Sequence, residues 1–395
     1  MKSKKGLFVA VVIIVTLLMS ISPSALGERG TPQKAYVRFA TFNIEDLRTE
    51  VIQDRNGSDP HARAVAEIIQ RTNPDVLCLN EIAFDVLGVE GASSKGSNAR
   101  TFVENYLKIP QKQELSGIDY PYIYFKEENT GMPSGIDLDN DGKEDGPGDA
   151  FGYGNFEGQY SMALLSKFPI EEANIRTFQK FLWKDMPDNL LPSSFYSNDA
   201  IEVLRLSSKS HWDVPINIQG TTIHVLMAHP TPPCFDGPED RNGRRNHDEI
   251  RLIVDYISNE SYLIDDKGAR GGLPPGSHFV IMGDMNSDPV DGESIPGTIR
   301  QLIEHPLIDL DTFPESQGGI DHADPDHLNP PEYDTADWFY PPGNLQVDYA
   351  LPSRELTIVD SGVFWPSVSD PLSDLVEGAS DHHLVWVDLG VPINT

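Results

Sequence analysis

His278-Phe-Val-Ile-Met-Gly-Asp-Met-Asn286 is the stretch on which the fold of this chain turns. The run from His278 to Met282 has the composition of a buried strand, and it delivers Gly283-Asp284-Met285-Asn286 at its end. The same design recurs along the chain. Residues 36–44 alternate as a strand and carry Thr41-Phe-Asn43-Ile-Glu45, and residues 75–81 run Asp-Val-Leu-Cys-Leu-Asn80-Glu81. Met227-Ala-His229-Pro-Thr, Gln346-Val-Asp348-Tyr349 and Ser380-Asp381-His382-His383 lie beside further apolar runs. One Asp or Asn at a strand end caps a turn. A whole set of them, each beside an apolar strand, is expected where loops at one rim of packed sheets build a polar site.

Between these motifs the apolar positions Ala62, Val65, Ala66 and Ile69 follow helical spacing from His61 to Arg71, and Asn73-Pro74 stops that helix. A second helix is expected at about 242–259. Further strands are expected at 160–166, 201–206, 214–219, 221–228, 345–351 and 384–388. Residues 128–159, rich in Gly and Asp, and 314–344, polar and Pro-rich, read as long loops. Strands outnumber interspersed helices, so the fold class is α+β, a layered mixed α/β domain. No repeat or linker divides residues 28–395, which read as a single domain with an acidic insertion at about 128–159.

Of 395 residues, 30 are Lys or Arg and 61 are Asp or Glu, a formal net charge of −31. That balance argues against a broad basic surface for gripping nucleic acid, because non-specific binding comes from neutralising phosphates. It leaves local phosphate chemistry open, since a metal ion reverses the sign of a small site. It also suits a high-salt habitat, where screening blunts self-repulsion. Lys2, Lys4 and Lys5 precede an apolar run from Leu7 to Met19, and small residues follow at Ser24-Ala25-Leu26-Gly27. Residues 1–27 therefore read as a secretory signal peptide, against the competing reading of an uncleaved anchor, for which the run is short. The mature chain, three lysines poorer, is expected to be secreted or periplasmic and not membrane-spanning. Two cysteines, Cys78 in an apolar run and Cys234, make no disulfide scaffold.

In their order along the chain these motifs resemble the endonuclease/exonuclease/phosphatase superfamily, the fold of pancreatic-type deoxyribonuclease, here as a secreted bacterial-type member. The likeness spans about residues 36–390, and Gly158-Gln-Tyr-Ser-Met-Ala163-Leu-Leu-Ser166-Lys-Phe-Pro169 is similar to the family's central strand and turn. The resemblance implies a four-layer α/β/β/α sandwich with two mainly antiparallel sheets face to face. It implies metal-dependent hydrolysis of a phosphate ester, with Mg²⁺ or Mn²⁺ at the active site. By the same resemblance Glu81 is the principal metal ligand, with Asp381, Asn43 and Glu45, the last where Asp is more usual. His382 matches the general base and Asp348 the carboxylate that orients it, while the residue types leave open whether Asp284 or His382 takes the proton of the attacking water. Asp284 and Asn286 match the pair that positions nucleophile and phosphate, and His229 the second histidine. The chemistry suits these residue types: a phosphate ester repels an attacking hydroxide unless a cation offsets its charge, and carboxylates supply the oxygen ligands that Mg²⁺ favours.

Other stretches carry separate expectations. Lys209, His211 and Arg245 are candidates for contact with anionic substrate. Asp137-Leu-Asp139-Asn-Asp141-Gly142, with Asp145 and Asp149 nearby, has the alternating oxygen donors that open a Ca²⁺ loop, against the reading of a solvated acidic turn, although Gly148 stands where an EF-hand needs its closing acid. The substrate is a phosphate ester, whether nucleic acid, phospholipid headgroup or small molecule, and no stable protein partner is implied. The alternatives are a non-catalytic Ca²⁺-binding module on the same fold and a sphingomyelinase-type phospholipase. If the leader is cleaved, intact-mass and N-terminal sequencing of the exported protein will find Glu28 first; a product that retains Lys2 means an anchor.

Overall fold

The computed structural model describes residues 34–89, 91–309 and 313–393, so the expected signal segment 1–27 lies outside the described residues. The chain enters on β1 (Lys34–Leu47), crosses by α1 (Pro60–Thr72) to β2 (Val76–Ile82), and continues through β3 (Tyr122–Tyr124) and β4 (Met162–Ser166). After β5 (Arg176–Thr177) come β6 (His211–Ile218), β7 (Thr221–Ala228), α2 (Arg241–Ile257) and β8 (His278–Asp284). β9 (Asp348–Pro352), β10 (Thr357–Val363) and β11 (Val385–Pro392) complete it.

The strands form two sheets, in the orders β10-β11-β1-β2-β4-β3 and β5-β6-β7-β8-β9. Neighbours run antiparallel except β1–β2 and β7–β8, the two pairs joined through α1 and α2. A parallel pair needs such a crossover, and the helix covers the sheet's outer face. α1 is locally well specified. The Asp59 side chain accepts from Ala62 N at 2.9 Å, Pro60 occupies the first turn, and Asn73 closes the helix in the left-handed region, its N–H donating to Ile69 O at 2.8 Å.

Alternation along the strands makes the layers. Val225, Met227, Val280 and Met282 face β1 and β2 in the core between the sheets, which also runs through to Ala62, Val65, Ala66 and Ile69 of α1. Leu226, Ala228, Phe279 and Ile281 face the other way, onto Ile250, Ile253 and Ile257 of α2. Each such side chain contributes about 1.5–3 kcal/mol by leaving water. The result is an α+β sandwich of four layers, helix, sheet, sheet, helix. Among the described residues no helix is long and apolar enough to cross a membrane.

Three local expectations change. Residues 201–206 are not a strand: Ser197 caps a helix over Asn198–Val203, accepting from Ala200 N at 3.1 Å. The strand expected from Leu345 begins at Asp348, because Leu345 instead bridges Ala336. β10 went unseen because its Thr-Ile-Val-Asp-Ser-Gly-Val sequence is mostly exposed edge with no apolar run.

Gly283 has φ +146°, and a Cβ there would collide with the Ala228 carbonyl of β7. Gly283→Ala is expected to cost about 1–3 kcal/mol through overpacking, seen as a lower Tm by circular dichroism, with activity falling as Asp284 is displaced.

Candidate active site

Register assembles the polar rim. Asp284 and Asp348 are cross-strand partners at the ends of β8 and β9, and Asn43 sits beside Asn80 where β1 meets β2. Asn43 Nδ2 then reaches over both sheets. It donates to Glu81 Oε1 at 3.2 Å and to Asp284 Oδ2 at 3.0 Å, and lies 3.5 Å from His382 Nε2. Asp284 Oδ2 also receives Asn286 Nδ2 at 3.3 Å, and it stands 3.4 Å from His229 Nε2 and 3.7 Å from His382 Nε2. Its backbone N–H donates to Asn80 Oδ1 at 3.2 Å. The partners overcome the penalty of burial, and the carboxyl of Asp284 is held well below the ordinary range.

His382 Nδ1 lies 2.7 Å from Asp348 Oδ2. Thr335 fixes that carboxylate: its hydroxyl donates to the same oxygen at 3.0 Å and accepts from the Val347 and Asp348 N–H groups at 3.0 and 2.9 Å. Burial works against the imidazolium, but Asp348 and Asp284 prevail and raise the His382 pKa well above its ordinary value. With Nδ1 committed, Nε2 is the free nitrogen, and it points at Asp284. Trp338 stands edge-on to the His382 ring at 5.2 Å and donates its indole N–H to Asp381 Oδ2 at 2.7 Å.

Residues 40–382 match the endonuclease/exonuclease/phosphatase family. The chain belongs to this family. It is a hydrolase acting on phosphate ester bonds. Among solved structures, an endonuclease/exonuclease/phosphatase from Beutenbergia cavernae DSM 12333 is similar at 17% identity and a TM-score of 0.52, over 90% of this chain and 72% of that one. A family protein from Leptotrichia buccalis C-1013-b gives 14% and 0.47, over 89% and 99% of the two chains. Sphingomyelinase C from Streptomyces griseocarneus gives 15% and 0.45, over 90% and 99%. No curated protein matches the sequence.

The family uses a divalent metal, and carboxylates that suit one gather at the rim. Glu45 has its carboxyl raised, first by burial and next by the charge of Asp381, with Glu81 adding to it. These carboxylates feel one another's charge, and oxygen donors of this kind suit a hard divalent cation, while the donors that lie within 4.8 Å of one another at this rim come from Asp284, Asp348 and His382. Asn43 stands among the expected ligands: its nitrogen faces Glu81, and its Oδ1 accepts one hydrogen bond, from Glu45 N at 3.1 Å, which leaves that oxygen a second lone pair. The Asp46 N–H holds the other Glu81 oxygen at 3.0 Å.

The three expected phosphate contacts separate. Lys209 is 6% exposed, and its ammonium makes no hydrogen bond or ion pair among the described residues. Burial lowers its pKa, against the charges of Glu249, Glu81 and Asp284, so an uncommitted amine lies beside the site. His211 is a correction: Nδ1 lies 3.1 Å from Ser207 Oγ and Nε2 2.9 Å from Glu249 O, leaving no nitrogen for substrate. Arg245 is another, since it donates to the carbonyls of Leu206, Phe151 and Arg205 and ties loops together. In the acidic insertion Asp137 and Asp139 gather with Asp149, not with Asp145, while Asp141 is satisfied by the backbone N–H and ammonium of Lys143.

Sequence reasoning missed Thr335 and Trp338, which lie in the polar loop at 314–344 with no apolar strand to announce them. Gln159 falls within the family-like stretch and donates to both Asp46 oxygens at 3.1 Å, but its role needed the structure. Thr335→Val should leave the Val347 and Asp348 N–H groups unpaired and free the Asp348 carboxylate, at about 1–3 kcal/mol. Steady-state kinetics should show kcat falling about tenfold or more with KM nearly unchanged.

Proposed function

We propose that this chain is a secreted phosphoesterase that uses Mg²⁺ or Mn²⁺ to hydrolyse phosphodiester or phosphomonoester bonds by attack of water, as a nuclease-like or phosphatase-like enzyme. The observation that carries this reading is the convergence of Asn43, Asn286, His229 and His382 on Asp284 Oδ2. Two amides and two imidazoles drawn from both sheets surround one buried carboxylate, and such a gathering of perturbed titratable groups marks a candidate site for acid–base chemistry.

Glu81, Asp381 and Glu45 would hold the cation, which supplies Lewis-acid polarisation of a phosphoryl oxygen. Asp284 orients the water for in-line attack on phosphorus. His382 Nε2 takes the water's proton while the bond from phosphorus to the leaving oxygen breaks, and Asp348 steadies the resulting imidazolium. His229 is buried and its pKa is lowered, by burial first and by Lys209 next, and as a neutral imidazole facing Asp284 Oδ2 through Nε2 it helps to seat that carboxylate. The charge of the same carboxylate favours the protonated form of Lys209 against the cost of burial.

Because Asp348 helps to hold the His382 pKa up, the base becomes available only as pH rises through that raised value. The acidic limb of kcat/KM is expected on the alkaline side of an ordinary histidine. Asp348→Asn should move it to lower pH while lowering kcat, and a limb that stays in place removes His382 from the role of base.

A second reading has its own observation. Phe339 is 97% and Tyr340 65% exposed, directly after the Trp338 that holds Asp381. Exposed rings at the mouth of a phosphate site suit a phospholipid headgroup presented at an interface. Plasmid DNA, RNA, sphingomyelin vesicles and simple phosphate esters, each with Mg²⁺, with EDTA and with His382→Ala, separate the classes. Turnover of one class, lost with EDTA and in the variant, is expected. Silence on all of them favours a non-catalytic module.

A further inference from the structure

The insertion at 128–159 has one buried apolar anchor near its acidic turn, Leu138, which joins the core against α2. Around it the chain brings Asp137, Asp139 and Asp149 together, one carboxylate oxygen from each lying within 4.8 Å of the others. Asp149 is the unusual member. It is 2% exposed; one oxygen accepts from Leu138 N at 2.7 Å, and the other, Oδ2, is buried with no partner. Asp137 Oδ1 is likewise buried and unpartnered. A folded protein rarely leaves carboxylate oxygens buried and unpaired, because each forfeits its hydration for nothing.

We infer that Asp137, Asp139 and Asp149 form a Ca²⁺ site, separate from the catalytic centre, that ties the acidic insertion to the body of the fold. Two ligands on one Ca²⁺, each at about 2.3–2.6 Å, span the separations seen here. The donors are all hard oxygens on a Gly-rich loop, which suits the loose coordination of Ca²⁺ better than the strict octahedron of Mg²⁺. Asp149 also resolves the spacing problem in the sequence. The closing acid comes one residue later than Gly148, delivered by the short 3₁₀ turn Pro147–Asp149. Gly148 leaves room for the Asp139 carboxylate, which a Cβ at that position would push aside.

The consequence reaches beyond the loop. Asn129, at the start of the insertion, donates through its backbone N–H to Lys209 O at 3.1 Å and through Nδ2 to Ser207 O at 2.7 Å. Ordering the insertion therefore steadies the segment that carries the uncommitted amine.

The test is thermal unfolding of the purified full chain, stripped with EGTA and returned to Ca²⁺ or to Mg²⁺ alone. Ca²⁺ should raise Tm by roughly 2–4 °C or more, and Mg²⁺ by much less. Glu81→Gln, which removes the expected catalytic ligand, should keep the Ca²⁺ shift, whereas Asp149→Asn should lose it. Asp139→Asn, at an exposed position, guards against a folding defect in the Asp149 variant and should lose the shift too. Loss of the shift in Glu81→Gln would place calcium in the catalytic centre and overturn the proposal. An undiminished shift in both loop variants, or none in the parent chain, would overturn it as well.

Discussion

The carboxamide of Asn43 donates to a carboxylate of each sheet, Glu81 on β2 and Asp284 on β8, and the geometry of the rim follows from that one reach. Two sheets packed face to face must bury their apolar inner faces, which fixes their spacing through Val225, Met227, Val280 and Met282. The same spacing brings the strand ends close enough for acids from opposite sheets to repel one another. A neutral donor between them turns that repulsion into two hydrogen bonds. Asn43 is 1% exposed, so neither bond competes with bulk water.

Around this hub, charge is distributed by depth. The deep acids, Asp284 and Asp348, are matched with histidines and with Thr335, so their places are fixed before substrate arrives. The shallower acids, Glu81 and Asp381, have side chains 21% and 38% exposed, where an ion can enter from solvent. Lys209 is buried nearby, where Glu249, Glu81 and Asp284 favour its charged form against the cost of burial. The field near a buried pocket is set by the nearest groups more than by the total charge.

Much of this was legible in the residues themselves. Strand-end motifs such as Leu79-Asn80-Glu81 and Gly283-Asp284-Met285-Asn286 announce themselves because an apolar run stops abruptly at a polar side chain, and period-two alternation sets which face that side chain shares. The helix at 60–72 was equally plain from its spacing and its Asn73-Pro74 stop. Legibility failed where tertiary contact decides. Leu204-Arg205-Leu206 alternates like a strand, yet Ser197 had already nucleated a helix upstream. Lys209 and His211 sit two residues apart in one polar segment, and only packing shows that the imidazole is consumed by Ser207 and Glu249 while the amine is left free. Thr335 acts through a single hydroxyl in an irregular loop, a position for which periodicity has no signal.

The order in which the sheet closes has a consequence for when the enzyme becomes active. β1 begins the chain's fold and β11 ends it, yet the two are hydrogen-bonded neighbours, and Asp381 and His382 arrive only just before β11. A chain still emerging from the ribosome holds Asn43, Glu81 and Asp284 before it has the imidazole of His382 and β11. A chain that stops short of residue 381 therefore lacks Asp381 and His382, however well its earlier strands have packed.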